Sequence, residues 1–134
     1  MIVGVGIDLI ETERVRRSAE RFGQRFLSRI YHPRELEQTR GDRVQYLAAR
    51  FAVKEAVFKA LGTGWAAGIR WIDVEVQNLT SGQPILLLHG GAAQRAREMG
   101  ADRFHVSITH TAGYAAAVAV LETTGTEAPS ARSG

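Results

Sequence analysis

A chain of 134 residues is long enough to bury a core of its own and too short for two domains. It is 45% hydrophobic and 23% charged, an ordinary globular balance, and no apolar run approaches a membrane span. Cysteine is absent, which excludes disulfides and thiolate metal sites and allows a reducing cytoplasm; 17 Lys and Arg against 14 Asp and Glu give a net charge of +3, pointing to an acidic partner.

The N-terminal "MIVGVGIDLI" is interrupted by Asp8 and lacks a basic leader and a cleavage site, so residues 2 to 10 read as a first strand, not a signal peptide. Val3, Val5, Ile7 and Leu9 alternate onto one face, with Gly4, Gly6 and Asp8 on the other. From Thr12, a candidate N-cap, the period turns helical through Val15, Ala19, Phe22 and Phe26. "HP" at 32–33 breaks it, and Pro33 opens a short helix. A long helix follows from Val44 to Leu61, with Gly62 as its C-terminal glycine, and then the loop "GTGWAAG". "IRWIDVEVQNL" and "PILLLHG" read as a hairpin joined by "TSGQ", and "AAQRAREM" as a helix ending at Gly100. "RFHVSIT" and "YAAAVAVL" are the last strands, with "HTAG" between them. Helices mixed with antiparallel hairpins make the class α+β. Residues 1–122 are expected to form one domain, and the small, polar 123–134 a disordered tail.

The long helix is apolar nearly all round, which predicts a buried helix. Arg50 and Lys54 form its one consistent polar edge; Glu55 and Lys59 project elsewhere, among alanines and Phe51. A surface i,i+4 pair would share the Arg50/Lys54 edge, whereas two buried charges need a reason. Helical angles leave the two readings balanced. Asp8 adds weight, because an acid in mid-strand needs a partner and the glycines beside it mark close approach by a ligand or another backbone. Alone, Asp8 reads equally as a strand-end acid bonded to its turn. Together, two carboxylates and a lysine suit Mg²⁺ and phosphate oxygens.

In "HVSITHT" (105–111), Val106 and Ile108 share one face and His105, Ser107 and Thr109 the other. His110 stands at the strand end between two threonines, a structural position more often than a catalytic one, yet the cluster offers donors for a phosphate. Arg14, Arg17, Arg21 and Arg25 occupy one arc of roughly 80° if the first helix continues through Gly23. A charged face is commonly just solvated; without interleaved acids this one reads as a docking surface for an acidic partner. A nucleic-acid module is the rival reading, but few aromatics accompany the arginines and no base-reading motif appears. Another Mg²⁺-dependent nucleotide enzyme is the third reading; the chain has no Walker A sequence, dinucleotide fingerprint or HExxH.

"GIDLIE" (6–11), "RFAVKEAVFKALGTG" (50–64) and "SITHT" (107–111), in that order and spacing, resemble the short bacterial 4′-phosphopantetheinyl transferases, the holo-(acyl-carrier-protein) synthase family. "GQP" at 82–84 and "YAAA" at 114–117 are also similar to it, so the resemblance runs from residue 1 to about 122. It implies that family's fold, a small antiparallel sheet packed against a long central helix. It also implies Mg²⁺-dependent transfer of the phosphopantetheine arm from coenzyme A to a serine of apo acyl carrier protein, releasing adenosine 3′,5′-bisphosphate. Position by position, Asp8 and Glu55 match the metal ligands and Lys59 the phosphate-binding lysine, the catalytic set. Ser107 and His110 match a segment lining the coenzyme A pocket. Longer, monomeric relatives carry an acid where this chain has Ile10, so water is expected to complete the metal shell. For the serine proton, Glu55, Asp8 through a water, and a hydroxide on the metal stay open. The resemblance further implies a cytoplasmic homotrimer with sites between subunits, Arg14, Arg17, Arg21 and Arg25 facing the acidic carrier, and no role for nucleic acid or membrane.

Overall fold

The computed structural model describes residues 1–62 and 68–125. In chain order these form β1 (Ile2–Glu11), α1 (Thr12–Phe22), α2 (Gln24–Ile30), α3 (Pro33–Glu37), α4 (Arg43–Leu61), a 3₁₀ turn (Trp71–Asp73), β2 (Val74–Asn78), β3 (Pro84–Leu88), α5 (Gly90–Met99), β4 (Arg103–His110) and β5 (Tyr114–Glu122). The sheets are antiparallel: one three-stranded, in the order β1-β5-β4, and a β2-β3 hairpin. The expected α+β class, with a small antiparallel sheet against a long central helix, is what the chain forms. Most of "GTGWAAG" and of the tail lies outside the described residues.

The helix α4 begins where the Asp42 side chain accepts from the Gln45 N–H and ends at Gly62 in the left-handed region (φ 80°). It lies on the glycine face of β1. A Cβ on Gly6 would collide with the Ala56 carbonyl oxygen, and one on Gly4 with that of Ala60. The glycines beside Asp8 thus mark close approach by another backbone, not by a ligand. Alanines complete the contact from the sheet side, with Ala115, Ala117 and Ala119 of β5 buried. The other face of β1 stays open, and Val5, Ile7 and Leu9 are 58%, 67% and 67% exposed.

The sequence reading of the charges on α4 is inverted. Arg50 and Lys54, the expected polar edge, are buried, Lys54 at 0% exposure. Lys54 Nζ donates to Glu35 Oε1 (2.8 Å) and to the Trp71 carbonyl (3.3 Å), and also meets the Val74 carbonyl. The fully buried Glu35 also accepts from the His32 N–H (2.8 Å) and the Val76 N–H (2.9 Å), so one carboxylate ties α3, α4 and β2 together. Burial pushes the Lys54 ammonium below its ordinary value against the pull of Glu35. Arg50 stacks 3.7 Å from the Tyr46 ring centroid and bonds Asn78 Oδ1. The inversion follows from packing: α3, the 3₁₀ turn and β2 cover the Arg50/Lys54 side.

Three substitutions test this architecture. Gly6→Ala is expected to cost about 1–3 kcal/mol or more in urea denaturation, while Gly113→Ala, which meets open space, stays within about 0.5 kcal/mol. Glu35→Ala strands a buried ammonium and is expected to cost about 3–5 kcal/mol by the same measurement; a loss under 1 kcal/mol would refute the network.

Candidate active site

The approach of α4 to β1 decides what stands beyond the glycines. Gly4 faces Ala60 and Gly6 faces Ala56, so Asp8, the next residue on that face, meets the polar side of α4. Lys59 Nζ donates to the Ile7 carbonyl (3.0 Å) and to Asp8 Oδ1 (3.2 Å). Glu55, one turn before Lys59, is half-buried beside Asp8. Burial raises the Glu55 carboxyl above its ordinary value, the charge of Asp8 raises it further, and Lys59 and Arg14 pull it down.

The three residues expected to work together therefore do meet, with two differences. Lys59 is exposed and Glu55 half-exposed, so the pair is not buried within the core. Lys59 pairs with Asp8 across 51 positions of sequence. Arg14 of α1 adds a further positive charge near Glu55, a proximity the sequence reading did not anticipate. Two carboxylates in one place, one with its proton affinity raised by the other, form an all-oxygen donor set whose repulsion a hard divalent cation would relieve.

Ser107 and His110 lie elsewhere in the chain. With Arg40, Tyr46, Arg50 and Pro84 they line a cleft of about 1090 Å³, and Asp8, Glu55 and Lys59 are not among its described lining residues. The register explains part of this. Asp8 pairs with Ala117 and Ala117 with Ile108, whereas Ser107 aligns with Val118 and Ile7 on the opposite, open sheet face. Val106 and Ile108 pack inward while His105, Ser107 and Thr109 face out, as the alternation predicts.

The arginine stripe is interrupted. Gly23, at φ 55°, ends α1, so Arg25 belongs to α2 and the arc of four assumed from a continuous helix does not form. Arg14, Arg17 and Arg21 remain exposed on α1 around a shallow hollow that Phe22 also lines. Among the described residues no ion pair neutralises them.

Removing the Glu55 charge tests the electrostatics of this site without reference to turnover. A carboxyl held above its ordinary value keeps its proton to higher pH in the fold than in the unfolded chain, so stability falls as pH rises through that window. In metal-free buffer Glu55→Gln is expected to melt slightly above the parent at neutral pH, the gain disappearing below the ordinary carboxylate range. The effect is small because the side chain is partly solvated. Melting curves that place the variant below the parent at neutral pH would reverse the argument.

Residues 4–119 match the model of the 4′-phosphopantetheinyl transferase superfamily. The holo-[acyl-carrier-protein] synthase of Solibacter usitatus is 50% identical over 124 residues, covering 91% of this chain and 99% of that protein. Among solved structures, the holo-[acyl-carrier-protein] synthase of Neisseria meningitidis superposes with a TM-score of 0.84 at 33% identity, over 92% of this chain and 100% of that one. The Bacillus anthracis enzyme, in complex with CoA (3′,5′-ADP), gives 0.75 at 35% identity, over 92% and 99%. The chain belongs to the holo-[acyl-carrier-protein] synthase family of the 4′-phosphopantetheinyl transferase superfamily.

Proposed function

We propose that this enzyme transfers the 4′-phosphopantetheine group from coenzyme A to a serine hydroxyl of apo acyl carrier protein, with Mg²⁺, releasing adenosine 3′,5′-bisphosphate. The convergence of Asp8, Glu55 and Lys59 carries the reading. The name of the relatives and the ligand of the Bacillus anthracis enzyme support the same two substrates here. In the reaction the serine oxygen bonds to the phosphorus bearing the pantetheine arm, the bond from that phosphorus to the nucleotide breaks, and the serine proton leaves.

Asp8 and Glu55 are the residues to hold Mg²⁺, which when bound supplies neutralising charge to the diphosphate. Lys59, exposed and free to swing from Asp8, adds a point charge to the same phosphates. The serine proton passes to a base beside the phosphate, for which this chain offers Glu55 and, through a water, Asp8. The cleft lined by Ser107 and His110 is assigned to coenzyme A, with its residues serving a neighbouring subunit's Asp8 and Glu55. The open apolar face of Val5, Ile7, Leu9 and Tyr114 supports a homotrimer that covers it. Arg14, Arg17 and Arg21, with Arg25 on the next helix, face the acidic carrier. Among the described residues no helix is long and apolar enough to cross a membrane, and the assignment is to cytoplasmic lipid biosynthesis.

Incubation with apo acyl carrier protein, coenzyme A and Mg²⁺ is expected to add the phosphopantetheine mass to the carrier; no mass change with a competent carrier sinks the proposal. Glu55→Gln is expected to stay folded and lose about 100-fold or more in turnover.

A further inference from the structure

Away from Asp8 and Glu55, three elements bring two imidazoles onto one buried carboxylate. His32 caps α3, Glu75 lies on β2 and His89 precedes α5. Nε2 of His89 is 2.8 Å from Glu75 Oε1, and Nε2 of His32 is 3.8 Å from the same oxygen. The rings stack with centroids 5.7 Å apart and planes 27° apart, and the three ligand atoms all lie within 4.8 Å of one another. The Glu75 side chain is fully buried, whereas those of His32 and His89 are 26% and 40% exposed, so the imidazoles reach solvent and the carboxylate does not.

We propose that His32, Glu75 and His89 form a metal site for a borderline transition-metal ion, Zn²⁺ above all, separate from the all-oxygen Asp8/Glu55 pair. Two imidazole nitrogens and a carboxylate oxygen, with water in the fourth position, are a zinc donor set and a poor one for Mg²⁺. Bonds of about 2.0–2.2 Å to a tetrahedral ion separate neighbouring ligand atoms by roughly 3.4 Å. The observed 2.8 and 3.8 Å fall on either side of that value. At 3.8 Å, His32 Nε2 faces the carboxylate beyond hydrogen-bond reach, a gap that an ion would bridge. Gln77 Nε2 bonds the other oxygen, Oε2, and so orients the carboxylate from behind.

Two interactions yield when the ion enters. The Arg34 guanidinium donates to Glu75 Oε1 (2.9 Å), but its side chain is 54% exposed and swings into water as the ion replaces its charge. His32 Nδ1 accepts from the Arg34 N–H (3.2 Å); a metal on Nε2 moves the ring proton to Nδ1, so this cap bond is exchanged for the metal bond. In return the ion joins α3, β2 and the start of α5, and its binding stabilises the fold by mass action.

Titration calorimetry of the untagged full chain with Zn²⁺, under excess Mg²⁺ to fill the oxygen site, tests this. One equivalent is expected, with a raised melting temperature and, for Co²⁺ in place of Zn²⁺, the visible absorption of four-coordinate cobalt. His32→Asn, which retains a capping acceptor, and His89→Gln are each expected to weaken binding by more than about tenfold, since outer-shell changes alone cost about 10–100-fold. Arg34→Ala removes the competing cation and is expected to tighten it, a check that survives misfolding of the histidine variants. No uptake of Zn²⁺ by the wild-type chain, unchanged affinity in the double histidine variant, or no tightening in Arg34→Ala overturns the proposal.

Discussion

The rest of the molecule depends on how near α4 comes to β1. A helix normally stands off a sheet by the thickness of its side chains, but here the Gly4/Gly6 face admits the helix backbone itself. That nearness lets Lys59 reach both the Ile7 carbonyl and Asp8, and it puts Glu55 within the field of Asp8. A side chain on either glycine would lift the helix and open the distances on which the carboxylate pair depends.

The same helix carries charged groups in two opposite settings. Lys54 is enclosed by Glu35 and backbone carbonyls, where a charge survives only because every partner is supplied. Glu55 and Lys59 sit where solvent still enters, and the charge of Glu55 is opposed by that of Asp8 beside it. The first arrangement spends its electrostatics on holding α3 and β2 to the core. The second leaves its charges at the solvent-facing edge of the helix, beside Asp8. An ordinary salt bridge between Glu55 and Lys59 would have satisfied both; instead Lys59 pairs with Asp8, and Glu55 stands beside a second carboxylate.

Much of this was legible in the sequence. The elements, the hairpin at "TSGQ" and the C-terminal glycine of α4 followed from period and turn chemistry, and Asp8, Glu55 and Lys59 from charges placed against an apolar pattern. What could not be read has physical causes. Helical angles fix azimuths on α4 but not what packs against them, so Arg50 and Lys54 looked solvated when α3 and β2 cover them. Gly23 is compatible with a continuing helix and with a positive-φ break, and the sequence does not choose, which is why Arg25 was grouped with the wrong helix. The separation of Ser107 from Asp8 depends on strand register, and the His32, Glu75 and His89 cluster on three elements remote in sequence; neither leaves a local spacing to notice.

The close contact at Gly6 also bears on how such a chain varies. Where two side chains collide, a second change can make room for the first. Opposite Gly6 stand the carbonyl of Ala56 and the amide of Ala60, which every residue type shares, so no second substitution at those positions can compensate. Positions 4 and 6 are closed to drift by backbone alone, while Val5, Ile7 and Leu9, between and beyond them, answer only to whatever covers the open face of the sheet.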